Sequence, residues 1–145
     1  MTSPHARPPR YLLDHSALAQ YWNEPTIRAQ VDVLAAHGVL CAAAVTRDEG
    51  CYRARGSADF TFLTELYDRQ FCWLAFDGDA EACAAEIRAA LWDLGIGRAA
   101  PVADVLIAAT ALRHGAVVVH DDPDFLTIKH AVPRLEHIRV APNVR

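Results

Sequence analysis

A chain of 145 residues with 52% hydrophobic and 22% charged side chains is long enough to bury a core without disulfides and too apolar to stay disordered. No stretch approaches the roughly 18–20 uncharged apolar residues of a membrane-spanning helix, and the opening MTSPHARPPR lacks the apolar centre of a secretory signal, so the chain is expected in the cytoplasm with no membrane partner. A net charge of -4, with Lys129 the one lysine beside thirteen arginines, excludes a general polyanion binder; nucleic acid would have to be met by local Arg clusters and bound metal.

Residues 1–9 are expected to form a flexible tail and residues 10–145 a single domain. Tyr11-Leu12-Leu13 is a short apolar run that stops at Asp14, with His15-Ser16 behind it, which predicts a buried strand meeting a helix start. Helical segments follow over Ser16–Trp22 and Thr26–His37, separated by Asn23-Glu24-Pro25 and closed by Gly38. Val39 to Ala44 is a second apolar run, and Thr46-Arg47-Asp48-Glu49 has the Thr-x-x-Glu pattern of a helix N-terminus, predicting a helix to about Arg55.

Ser57–Arg69 repeats helical spacing through Phe60, Leu63, Leu66 and Tyr67, and Phe71–Phe76 has strand character. Asp77-Gly78-Asp79 is expected to turn the chain into a helix over Ala80–Leu94, capped by Gly95. Pro101 fits the first turn of a helix over Val102–His114 that ends at Gly115. Ala116–Val119 is the clearest strand; a helical turn follows Asp122-Pro123-Asp124-Phe125, and a last strand lies near His137–Val140. Alternating strands and helices predict an α/β fold, a three-layer α/β/α arrangement around a mainly parallel sheet.

Asp14 and Asp122 would emerge at the carboxyl edge of such a sheet, and Glu49 and Asp104 near the starts of helices leaving it, so four carboxyls would converge where open parallel sheets bind ligands. Each has an ordinary explanation as a cap or a first-turn anion. Together they need another: two carboxylates about 5 Å apart repel by roughly 3 kcal/mol at an effective dielectric near 20, and a divalent cation cancels that. Mg2+ and Mn2+ take oxygen ligands and suit metal-assisted phosphodiester hydrolysis. Zinc is disfavoured, because the seven His residues lack metal-ligand spacing and Cys41, Cys51, Cys72 and Cys83 form no C-x-x-C pair; buried free thiols are expected. Trp22, Trp73 and Trp92 read as core or interface rather than as base-stacking platforms.

Leu12-Leu13-Asp14-His15-Ser16, Val45-Thr46-Arg47-Asp48-Glu49, Ala103-Asp104-Val105-Leu106-Ile107-Ala108-Ala109 and Val119-His120-Asp121-Asp122-Pro123-Asp124-Phe125 resemble, in order, the four motifs of the PIN domain family, and within it those of the VapC-type toxins. The resemblance covers nearly the whole chain, its third and fourth motifs being the specific ones. It implies a Mg2+- or Mn2+-dependent endoribonuclease that cuts cellular RNA, is silenced by a cognate antitoxin and forms a homodimer. By carry-over Asp14 and Asp104 are the principal metal ligands, Glu49 and Asp122 complete the quartet, Asp124 is a candidate fifth member, and Ser16 bonds metal-bound water or caps a helix.

Arg47, Arg53, Arg55 and Arg98 are candidates to meet RNA phosphates. The chain departs from the family in the charge of Arg47 and Asp48, in Gly50, which should weaken its helix by up to about 1 kcal/mol, and in Asp121, expected to be solvated. Three rivals stand beside the nuclease. A haloacid-dehalogenase-type phosphatase would need an Asp where Ser16 stands; a receiver-like signalling module would need a Lys on the last strand; a silent binding module would keep a degenerate acidic site.

Overall fold

In a computed structural model, which describes residues 6–142, five strands and seven helices alternate along the chain. The first five residues of the expected tail lie outside the described residues; residues 6–9 lead, exposed, into the first strand. The strands are β1 (Arg10–Leu13), β2 (Val39–Ala42), β3 (Cys72–Trp73), β4 (Val117–His120) and β5 (His137–Arg139). They form one sheet in the order β3-β2-β1-β4-β5, and every pairing is parallel. The expected α/β architecture is what the chain adopts, and the sheet is wholly rather than mainly parallel.

Parallel neighbours need crossovers, and the helices supply them on both faces. The helices are α1 (His15–Leu18), α2 (Pro25–His37), α3 (Ala44–Tyr52), α4 (Ser57–Gln70), α5 (Gly78–Asp93), α6 (Val102–His114) and α7 (Asp124–Ala131). The period-two alternation of the strands sorts side chains into two cores. Leu12, its register partners Cys41 and Val118, and Ile87, Leu91, Ile107, Phe125 and Ile128 from α5, α6 and α7 form one. Tyr11, Leu13, Ala42 and Val119 turn the other way and meet Leu18, Ile27, Val31 and Tyr67 from α1, α2 and α4.

Helix α6 is the most enclosed: Asp104, Val105, Ile107, Ala108, Ala109, Thr110 and Ala111 are all buried, as an apolar surface on every side requires. It ends at Gly115, whose φ of 61° is the left-handed cap conformation that a side chain would strain.

Several elements differ from the sequence reading. Strand character over Phe71–Phe76 yields only two paired residues, because β3 is an edge strand that leaves the sheet once Leu74 N–H has bonded Ala42 O. Asp77 is the N-cap of α5, not a turn residue: its Oδ1 accepts the Ala80 N–H at 3.0 Å. The helix after β2 starts at Ala44 and ends at Tyr52, so Thr46 is its third residue, and the Thr46 hydroxyl accepts the Ala43 N–H at 2.9 Å. Of the four free thiols only Cys41 is buried, and Cys72 is exposed. None of the three tryptophans is a core residue: Trp22, Trp73 and Trp92 are 43%, 51% and 58% exposed.

Candidate functional site

Strand β1 runs straight into Asp14, whose backbone N–H bonds Val119 O at 2.9 Å and so fixes it beside the end of β4. Its Oδ2 accepts both the backbone N–H of Ser16 at 3.1 Å and the Ser16 hydroxyl at 2.5 Å, which makes Asp14 the N-cap of α1. That satisfies one oxygen. The other, Oδ1, is buried without a hydrogen-bond partner, and the residue is 3% exposed. Capping thus accounts for half of the carboxylate and leaves half unexplained.

From the other core, the first turn of α6 contributes Asp104, 5% exposed. Just past β4 the chain contributes Asp122, whose Oδ1 accepts the Asp124 N–H at 2.9 Å in an Asx turn, and Asp124 opens α7. Carboxylate oxygens of Asp104, Asp122 and Asp124 all lie within 4.8 Å of one another. The tight trio therefore includes Asp124, the expected fifth member, while Asp14 and Glu49 flank it.

Glu49 projects from the second turn of α3. Its Oε1 is 3.8 Å from Arg53 Nη2, and its Oε2 is buried without a partner. The sequence reading of Glu49 as half of a capping box does not hold, since Thr46 sits three residues inside the helix. Gly50 is not a defect either: a Cβ there would stand 2.7 Å from the Tyr67 hydroxyl oxygen, so its absence admits the Tyr67 ring, whose hydroxyl donates to Thr46 O at 3.1 Å. That close approach fixes α3 against α4 at the residue next to Glu49.

The electrostatics of the group are unfavourable. Burial raises the Asp14 carboxyl above its ordinary range; the Ser16 hydrogen bonds work against this, and the charge of Asp122 adds to it. Burial likewise raises Glu49, helped by Asp14 and Asp122 and opposed by Arg53. Asp104 is raised most, well beyond the usual carboxylate range, first by burial, then by Asp122 and Asp14, and by a hydrogen bond with Asp124. Such a group binds protons or a cation.

A supporting layer was not legible in the sequence. Asp121 is only partly solvated: Gln20 Nε2 donates to its Oδ2 at 2.9 Å, Arg139 Nε to its Oδ1 at 3.2 Å, and its own N–H to the Ser16 hydroxyl at 2.9 Å. Ser16 therefore bridges Asp14 and the Asp121 backbone, with its single proton given to Asp14. His120 is fully buried; its Nδ1 accepts the Asp122 N–H at 3.1 Å, so its proton is on Nε2 and donated to His137 Nδ1 at 3.0 Å. Burial, His137 and Arg139 push His120 down to about 4, so the bridge stays neutral. The Ser16–Gln20 spacing of four was the one visible signal, since it stacks both on one helical turn.

Of the candidate arginines, Arg53 pairs with Glu49, Arg47 Nε lies 3.5 Å from Asp68 of α4, and Arg98 borders a surface depression with Trp92 and Val102. Arg55 and Arg53 line a cavity of about 250 Å³ together with His15, Trp22, Asn23 and Leu63. A second, more apolar groove of about 360 Å³ is lined by Leu18, Tyr21, Val31, Phe62 and Leu66, and Trp22 borders it too. Lys129, which a receiver would need at its site, lies on α7 and donates its ammonium to the carbonyls of Pro133 and Leu135.

The PIN domain profile matches residues 11–131. The chain is 34% identical over 116 residues to ribonuclease VapC21 of Mycobacterium tuberculosis, spanning 80% of this chain and 83% of that protein. Its fold is similar to that in VapBC2 from Rickettsia felis bound to a DNA fragment from its promoter, with TM-score 0.74 at 16% identity, covering 90% of this chain and 98% of that one. It is similar also to VapBC-5, a toxin-antitoxin system of Mycobacterium tuberculosis, with TM-score 0.64 at 24% identity over 92% of this chain and all of that one.

Proposed function

Since this chain belongs to the PIN domain family and, within it, to the VapC type, we propose that it is a metal-dependent endoribonuclease, the toxin of a toxin-antitoxin pair, with Asp14, Glu49, Asp104, Asp122 and Asp124 as its catalytic carboxyls. The observation that carries this is the pair of buried carboxylate oxygens, Asp14 Oδ1 and Glu49 Oε2, that no hydrogen bond satisfies beside three more carboxyls. Buried polar atoms are rarely left alone without a reason. A donor set made only of carboxylates fits Mg2+ or Mn2+ and fits zinc poorly.

The chemistry such an ion supplies when bound is the acidification of water and the neutralisation of charge on a phosphate. The chain's own groups do the rest. Ser16 holds Asp14 in one orientation through Oδ2 and leaves Oδ1 without a partner; the Asx turn holds Asp122 through its Oδ1. Glu49, steadied by Arg53 and by the α3–α4 contact, accepts a proton from the attacking water. Burial and the charges of Asp122 and Asp14 raise the proton affinity of Asp104, so a cation bound there would compete with a proton for it.

Residues 10–145 act as one nuclease unit in the cytoplasm, as a homodimer, on cellular RNA. Among the described residues no helix is long and apolar enough to cross a membrane. The apolar groove between α2 and α4 receives an amphipathic segment of the cognate antitoxin, its side chains entering between Leu18, Val31 and Leu66. Supporting this assignment, the solved relatives named above include toxin-antitoxin complexes. The test is degradation of total RNA by purified protein with Mg2+, with Mn2+ and with chelator, in wild type and Asp14→Ala. Degradation that survives either the chelator or the substitution would sink the reading.

A further inference from the structure

Beside the carboxyls lies a cavity that the proposed chemistry does not use. It is framed by α1 and the turn after it, by α3 and by the start of α4. His15 follows Asp14 in the chain, Gly50 follows Glu49, and Arg53 Nη2 lies 3.8 Å from Glu49 Oε1, so one wall of the cavity is built from neighbours of two of the carboxyls.

The lining mixes two chemistries. Trp22, 43% exposed, offers an indole steadied edge-on by Tyr21 and Phe62, with centroids 5.5 and 5.6 Å away. Arg55 has its backbone N–H held by Asp59 Oδ2 at 2.9 Å, and among the described residues its guanidinium makes no ion pair. Asn23 adds an amide that can both donate and accept. An aromatic side chain with arginines beside it is how single-stranded nucleic acid is held without a duplex, and Asp59, which lines the same cavity, has one carboxylate oxygen engaged by the Arg55 N–H. The volume, about 250 Å³, is just under the range of drug-sized pockets, so it admits one flat ring system and not a helix.

The geometry points to a subsite for one unpaired nucleobase adjoining the scissile phosphate, stacked on Trp22, with Arg55 meeting the neighbouring phosphate. This rests on the ribonuclease reading and adds to it a base-contacting residue, Trp22, and a phosphate-contacting residue, Arg55, outside the acidic group. A base on Trp22 would share its cavity with Arg53, the ion-pair partner of Glu49. Arg55 and Trp22 are positioning residues in this account, and their effect falls on binding rather than on the chemical step.

The experiment measures anisotropy of a short labelled single-stranded oligoribonucleotide in low-salt buffer with chelator, where nothing is cleaved. Trp22→Ala should weaken binding about tenfold and Trp22→Phe should recover most of it, as expected for a stacked base. Arg55→Gln should weaken it a few-fold and lower the slope of log affinity against log salt by about 0.7, one phosphate contact on a single strand. A blunt duplex should bind equally to wild type and Trp22→Ala. In cleavage with metal, Arg55→Gln should raise KM and leave kcat within about twofold.

Wild-type affinity in folded Trp22→Ala and Arg55→Gln overturns the subsite, as does an acidic peptide that binds the cavity more tightly than the oligonucleotide. Should Trp22→Ala fail to fold, Asn23→Ala and Arg55→Gln decide by the same measure. Asp104-dependent cleavage with unchanged binding in the pocket variants defeats the subsite alone. Loss of the ribonuclease reading shows differently, as wild-type protein that degrades no RNA with either metal.

Discussion

Helix α6 carries two regions of opposite character within one turn. Asp104, in its first turn, faces a group of carboxyls that raise one another's proton affinity, while Ile107, three residues on, is fully buried among Leu12, Leu91 and Val118 in a packed core. Both side chains are buried, and burial means opposite things for them: it stabilises the isoleucine and penalises the aspartate. The sealed part of the molecule tolerates the strained part because the same rigid helix belongs to both.

The contrast breaks most visibly at Asp104. Asp104→Asn should cut metal-dependent RNA cleavage by more than about a hundredfold, beyond what outer-shell changes at metal sites produce, while raising the melting temperature of chelator-treated protein at pH 8. A variant that is both inactive and less stable under chelator would mean that Asp104 is structural. Ile107→Ala should do the reverse, costing about 2–5 kcal/mol in urea unfolding, with activity per folded molecule retained. Gly50→Ala should fall between: a methyl 2.7 Å from the Tyr67 oxygen costs on the order of 1–3 kcal/mol and shifts Glu49, so stability and kcat drop together.

The smallest effect is the pH dependence. Asp14, Glu49 and Asp104 are all raised on folding, chiefly by burial. The stability they contribute is fully present below their unfolded values, about pH 4, and is lost as pH rises through the higher folded values. Without metal, the melting temperature should therefore fall between pH 5 and pH 8 more steeply in wild type than in Asp104→Asn. Added Mn2+ should offset the fall, so its stabilisation should be larger at pH 8 than at pH 5, with protons released on binding. Parallel pH profiles for the two proteins would count against a charge-strained cluster.

What the sequence disclosed follows the same division. Short apolar runs ending in Asp14 and near Asp122 announce strand ends, and a carboxyl at a strand end in a parallel sheet has one place to go. Local pattern was enough there. It failed where a residue's neighbour is distant in the chain. Asp121 looked like a solvated surface charge because Gln20 and Arg139, which hold it, approach only through the pairing of β1 with β4 and of β4 with β5. Gly50 looked like a weak point because the Tyr67 ring that needs its space comes from the next helix. The Thr46 reading failed by three residues, since β2 stops at Ala42 and the cap of α3 is Ala43.

Trp22 is a party wall: it borders both the cavity lined by Arg53 and Arg55 and the apolar groove that faces α2 and α4. Two guests that lean on the same ring cannot ignore each other, and linkage makes their influence equal in both directions. If a guest in the groove shifts this indole, it changes the hold of the neighbouring cavity on its own guest by the same factor that the second guest imposes on the first. A single side chain thereby turns two adjoining surfaces into one conversation, audible in the emission of that indole.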